Sequence, residues 1–227
     1  MDSTEQYYRR TLWLERLVKA WMAALGLRSL GAAGMLSHLG KQAPSVQDIG
    51  FGSMAALVYG LGVFAMALIF MASAALFLRI LYRSHANARA FRAPPAFCGP
   101  VAAVAYWFIP IANLVLGLLV VRSIFRSSAA QAGHADDSAG LLTGWWLAWL
   151  TGNLFALLGG VATPTGQTPA ALATLAEGSL FASVLQLGAG ILFLLVIRKL
   201  KDVHLDALRQ TGGESSGNFG FSATIEA

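Results

Sequence analysis

The sequence predicts an all-α polytopic membrane helix bundle, with four crossings plus a Pro-broken re-entrant or half-inserted segment. Composition is the first observation behind this. Hydrophobic residues make up 56% of the chain and charged ones only 12%, mean hydropathy is +0.62, and soluble domains carry about 25% charged residues. Secondly, several apolar runs reach the roughly 20 residues that a helix needs to cross the hydrocarbon core. Thirdly, the lysines and arginines behind the net charge of +5 stand beside those runs. Orientation signals and anionic-lipid contacts are distributed in this way, whereas a nucleic-acid face is not, so no nucleic-acid partner is expected. The single cysteine, Cys98, excludes an internal disulfide and a multi-thiolate metal site and fits a reducing compartment. Residues 1–210 read as one transmembrane helical domain and the Gly/Ser-rich residues 211–227 as a disordered C-terminal tail.

At the N-terminus Ser3 and Gln6 have capping-box spacing, which predicts a helix start. Leu14, Leu17, Val18, Trp21 and Leu25 then share one helical face, with Arg9, Glu15, Arg16 and Lys19 on others. From Val18 to Leu39 the run is long enough to cross, yet it contains Arg28, and a central arginine costs about 3 kcal/mol on insertion scales. Two readings follow: Arg28 snorkels or faces a neighbouring helix, or it is a buried functional charge. Lys41 to Ser53, with Pro44, Asp48, Gly50 and Gly52, reads as a short polar loop. Met54 to Leu78 is the strongest span. It exits into Arg79, Arg83, His85, Arg89 and Arg92, which continue its helical pattern until Pro94 and Pro95 end it.

Val101 to Val121 is apolar throughout and long enough to cross if straight, but Pro110 removes a backbone hydrogen bond and Asn113 needs a polar partner at depth. Arg122 and Arg126 follow, and Ser127 to Gly140 reads as a polar loop of small residues. Leu141 to Ala162 is the next span, with Trp145, Trp146 and Trp149 at its entry as an aromatic belt. Along it Gly144, Ala148, Gly152, Ala156 and Gly160 recur every four residues, a ridge that lets another helix approach closely. Ala182, Gln186 and Gly190 form a matching stripe on the last span, Ser179 to Ile197. The ridge is read as an intramolecular contact, with an oligomer face as the alternative.

Counting basic residues decides between topologies. With five crossings, eight Lys and Arg lie on one side and seven on the other, with Arg28 in the membrane. If Val101 to Val121 dips in and returns, fourteen lie on one side and only Lys41 on the other. The second arrangement has the bias that the positive-inside rule demands, and it makes both termini cytoplasmic.

Catalytic patterns are missing from this reading. His38, His85, His134 and His204 lie in separate segments without metal-ligand spacing, and there is no nucleophile elbow or phosphate-binding loop. Asp136 and Asp137 read as loop solvation, and neither a cofactor nor an enzymatic activity is expected. The candidate site is a polar cluster at the inner surface: Arg83, Asn87, Asn113 and Arg122, broken open by Pro110 and covered by Trp107. Either these groups satisfy one another, or the arginines hold an anionic ligand or lipid headgroup.

The order FLRILYRSHANARAF, YWFIPIANLVL, VVRSIFRSS and then Trp145–Trp146 resembles the bacterial membrane protein family called domain of unknown function 4328, over about residues 54–201. The matching positions are Arg83, Asn87, Trp107, Pro110, Asn113, Arg122, Trp145 and Trp146. The family often has a second proline where this chain has Gly117, and a tryptophan where it has Phe125. The resemblance implies a bacterial cytoplasmic (inner) membrane protein and no particular activity. The function expected is that of a non-catalytic accessory, scaffold or signalling component, in contact with anionic lipid headgroups at the cytoplasmic face and with a protein partner or a second copy of itself. The alternative is a small-solute or ion transporter or channel, for which a broken helix is the usual clue. Scarcity of acidic residues in the spans favours the first.

Overall fold

The computed structural model describes residues 4–39, 46–91, 98–162 and 169–217, and among them regular structure is entirely helical. The long elements are α1 (Thr4–Leu39) and α2 (Val46–Ala88). A broken stretch follows: α3 (Pro100–Ala105), a 3₁₀ turn Tyr106–Phe108, α4 (Pro110–Ala112), a π-helical turn Asn113–Gly117 and α5 (Leu118–Gln131). Two further helices, α6 (Ala139–Ala162) and α7 (Pro169–Gly217), complete the order. Among the described residues three helices are long and apolar enough to cross a membrane: Ser53–Ala88, Pro110–Gln131 and Ala170–Thr211.

Several boundaries differ from the sequence expectation. Helix α2 begins at Val46, inside the stretch expected to be a loop; glycines such as Gly50 and Gly52 cost only about 1 kcal/mol each in a helix. Its other end comes early, at Ala88, where Ala90 N–H donates to Asn87 O and Phe91 N–H to Ala88 O. This 3₁₀-type closure leaves Arg89 outside the helical pattern that was expected to continue to Pro94, and within that pattern His85 is buried. Arg92, Pro94 and Pro95 lie outside the described residues. Ser127 to Gln131, expected in a loop, are the last turn of α5. Gly133, with φ of 68°, closes that helix: His134 N–H donates to Ala129 O and Gly133 N–H to Ala130 O, a Schellman cap that only a glycine adopts without strain. At its far end α7 runs on to Gly217, into the stretch expected to be a tail, and residues 218–227 lie outside the description.

The chain divides into two compact units. Unit 2, Trp13–Phe77 with Leu141–Val196, holds most of the expected spans. On α2 the exposed Met54, Leu57, Leu61, Phe64, Leu68 and Met71 recur at steps of three and four, one unbroken apolar stripe. Such a face suits hydrocarbon rather than water. Inside the unit α1 and α2 approach at two glycines, since a Cβ on Gly31 would run into the Tyr59 backbone and one on Gly62 would fall 2.6 Å from Arg28 N. Gly152 on α6 packs against α7, its Cβ position 3.3 Å from Gln186 Cγ, and Gly190 on α7 packs on Met22 and Trp21. On the α6 ridge Gly144 has open space around it and Ala156 is exposed; the surroundings of Gly160 lie outside the described residues. Trp145 and Trp146 are buried, not an interfacial belt: Trp145 stacks on Phe193 with centroids 5.0 Å apart, and Trp146 stacks on Trp149 at 5.1 Å. Stacking on α7 for Trp145, and on the neighbouring rings of α6 for Trp146, outweighs headgroup exposure.

Unit 1 comprises Met1–Leu12, Leu78–Gly140 and Ile197–Ala227. Its core gathers Tyr7, Leu81, Val120, Val121, Ile124, Phe125 and His204. Tyr7 Oη accepts from Ser84 Oγ at 3.2 Å, and His204 Nδ1 lies 2.8 Å from Ser128 Oγ. These polar links tie the ends of α1, α2, α5 and α7 into one assembly.

Candidate functional site

Proline chemistry shapes the first candidate region, which lies in unit 1. Pro110 excludes the helical region for the residue before it, and Ile109 is extended with φ −101° and ψ 108°. The helix restarts at once, Asn113 N–H donating to Ile109 O at 2.8 Å, and then widens into the π-turn Asn113–Gly117. Isolated π-turns of this kind are frequent at functional positions. The break expected at Pro110 is thus a 3₁₀ turn, one extended residue and a π-turn in succession.

The six residues expected there have unlike surroundings. Arg83, Pro110 and Arg122 are exposed, Trp107 and Asn113 are half-buried, and Asn87 is buried. The Asn113 Oδ1 atom is shielded and has no hydrogen-bond partner among the described residues. Among the described residues Arg83, Asn113 and Arg122 share no hydrogen bond. Nearby, Cys98 Sγ lies 3.7 Å from His85 Nε2, and burial pushes the thiol's pKa up. In the following loop Asp136 Oδ1 accepts from Ser138 N–H and Oγ–H. Asp137 pairs with Lys199, whose ammonium holds that carboxyl below its usual range.

Exposure separates the arginines from the core groups. Arg79, Arg83, Arg89 and Arg122 are all exposed, and among the described residues none forms an ion pair. Arg9, Arg126, Lys199 and Arg209 by contrast have carboxylate partners in Glu5, Asp136, Asp137 and Asp206. Among the described residues these four guanidinium groups of unit 1 are thus without a carboxylate.

The second region lies in unit 2 and was visible in the sequence only as Arg28. That side chain is 7% exposed. Its Nη2 donates to Ser183 Oγ at 2.7 Å, to Ser179 O at 3.3 Å and to Gln186 Oε1 at 3.5 Å, and Tyr59 Oη lies 3.0 Å from Ser179 Oγ. So Arg28 faces neighbouring helices, the first of the two sequence readings, through groups that are all neutral. Ser179 and Ser183 carried no signal of their own, and Gln186 was marked only as part of a packing stripe, although their spacing of four, then three, puts them on one face of α7.

Comparison with known families places these observations. The family described as Domain of unknown function (DUF4328) matches residues 43–202, more than two thirds of the chain. The chain belongs to this family. The DUF4328 match takes in the Pro110–Asn113 break, the open arginines of α2 and α5, and the α7 face that meets Arg28. Arg28 itself precedes the matched residues. No curated protein and no solved structure matches the chain.

Proposed function

We propose that this DUF4328 protein is a non-catalytic, multi-pass component of the bacterial cytoplasmic membrane, an accessory, scaffold or signalling subunit whose basic unit engages anionic lipid headgroups. The observation that carries this reading is the set of four exposed arginines, Arg79, Arg83, Arg89 and Arg122, without ion-pair partners among the described residues. A basic residue near an anionic leaflet contributes about 1 kcal/mol, and a guanidinium binds a phosphate through two parallel hydrogen bonds. The proposed topology has four crossings, with the segment around Pro110 half-inserted and both termini cytoplasmic. The fourteen-to-one charge count and the extended backbone at Ile109 support it.

Lipid dependence tests the function. Replacing zwitterionic by phosphatidylglycerol-rich nanodiscs should raise the thermal midpoint, and Arg83→Gln with Arg122→Gln should remove about 2 kcal/mol of that gain, roughly 4–8 °C for a chain of this size. An unchanged gain in the double variant would end the lipid-contact reading. Orientation is tested at Cys98. A membrane-impermeant maleimide added to intact cells should leave it unlabelled, and labelling as fast as in lysed cells would overturn the topology. The lysed-cell rate is the necessary reference, because burial slows the thiol in either setting.

A further inference from the structure

We infer that unit 2 binds a neutral, lipid-soluble ring bearing a hydroxyl group, held between α1, α2, α6 and α7 by the amides of Asn153 and Gln186. These side chains line a hollow of about 270 Å³, together with Trp21, Ala67, Phe70 and Trp149. Ligand pockets begin at about 300 Å³, so the hollow takes one ring with short substituents and excludes a two-chain lipid. Indole and phenyl faces favour a flat occupant. Among the described residues no charged side chain lines it, and nothing there would offset the cost of burying an ion. Ala67 and Phe70 are exposed, which puts the opening on α2, the helix with the apolar stripe. The ligand enters from hydrocarbon.

Two amides in an apolar wall are what ask for a hydroxyl. Gln186 lies within Ala170–Thr211, a helix long and apolar enough to cross a membrane, and Asn153 stands near the middle of α6, Ala139–Ala162. Water and headgroups are out of reach at such depth. Each amide is oriented by a bond to the protein. A guanidinium has no acceptor, so the oxygen of Gln186 faces Arg28 Nη2, at 3.5 Å, and its Nε2 hydrogens are left as donors. Asn153 Nδ2 donates to Trp149 O at 2.7 Å, and its Oδ1 is left as an acceptor. Among the described residues neither of these ends has a partner. Arg28 thus orients an amide and touches no ligand. One hydroxyl answers both ends, accepting from Gln186 and donating to Asn153, whereas an ether or a ketone answers only Gln186. An acyl chain would fill the wall and leave both amides unpaired.

Trp21 and Trp149 provide the readout. The full-length protein in detergent is titrated with para-bromophenol, whose bromine quenches indole fluorescence on contact, and in parallel with para-bromoanisole, the same ring with its hydroxyl capped. Detergent takes up the ether more readily, so partition alone works against the phenol. Saturable quenching by the phenol at a concentration at least about tenfold below that of the ether is expected, the effect that hydrogen bonds to two amides give. Ala67→Phe, which fills the hollow and leaves both amides in place, should weaken phenol binding by about tenfold or more. Asn153→Leu, at an exposed position bonded to its own helix, should fold normally and cut the preference for phenol over ether to about twofold or less. Equal quenching by the two probes would mean that an acyl-like occupant suffices and would overturn the hydroxyl site, as would an unchanged phenol affinity in Ala67→Phe or an unchanged preference in Asn153→Leu. The comparison of the two probes on the unmodified protein decides alone should a variant not fold.

Discussion

Gly62→Val is expected to lower stability by about 4 kcal/mol, whereas Gly60→Val, the same change two residues away on α2, should stay within about 0.5 kcal/mol. The difference lies in what each new side chain meets. Around Gly60 there is open space within 4 Å, but a Cβ on Gly62 would stand 2.6 Å from Arg28 N and 2.7 Å from its Cα. Those are backbone atoms, which cannot rotate away. Relief requires α1 and α2 to separate, and overpacking of this kind costs about 1–3 kcal/mol or more. Separation also loosens the bonds that reach from these helices to α7, Arg28 to Ser183 and Tyr59 to Ser179, each worth about 1 kcal/mol. Thermal unfolding in detergent should show a midpoint about 10 °C lower for Gly62→Val. Equal midpoints for the two valine variants would mean that the helices do not cross at this glycine.

That crossing illustrates where the sequence stops informing. The ridge on α6 is legible because its small residues repeat every four positions, yet of its described glycines Gly152 has a Cβ position that would meet α7, and Gly144 has nothing within 4 Å. The tighter pair, Gly31 and Gly62, carries no repeat, since each glycine serves a single point where two helices touch. Periodicity reports which residues share a face, and the matching stripe with Gln186 is what Gly152 meets, but it is silent on a contact made at one glycine. The same limit explains Trp145 and Trp146, whose position at the start of an apolar run fits an interfacial belt as well as it fits a core. Only the presence of Phe193 on α7 decides for the core. Pro110 was legible for the opposite reason: its effect on Ile109 is local and steric, and needs no tertiary partner. Arg28 stands between these cases. Its cost in an apolar run was plain, while the hydroxyl, carbonyl and amide oxygens that receive it lie more than 150 positions further along the chain.

Unit 1 has a comparable dependence on one buried side chain, and His204→Ala is expected to cost about 3–4 kcal/mol. The ring is fully buried, with its centroid 4.7 Å from Tyr7 and 5.5 Å from Phe91. Truncating a buried ring to alanine leaves a cavity, and the larger aromatic cases cost about 3–5 kcal/mol. The Ser128 hydroxyl, also fully buried, loses its 2.8 Å bond to Nδ1, which adds roughly 1 kcal/mol. Packing and hydrogen bonding make different forecasts for a second substitution. His204→Phe keeps a ring between Tyr7 and Phe91 and removes Nε2, a buried nitrogen without a partner among the described residues, so it should recover most of the loss and end within about 1 kcal/mol of the parent. If the bond to Ser128 carried the effect instead, His204→Phe would be as damaging as His204→Ala, and Ser128→Ala would match both. The response can be located as well as measured, because Cys98 belongs to the same unit and its thiol is partly covered. Loosening unit 1 in His204→Ala should speed maleimide labelling of Cys98 in detergent before global unfolding begins. A labelling rate that stays at the parent value while the midpoint falls would show that the ring supports some other part of the chain.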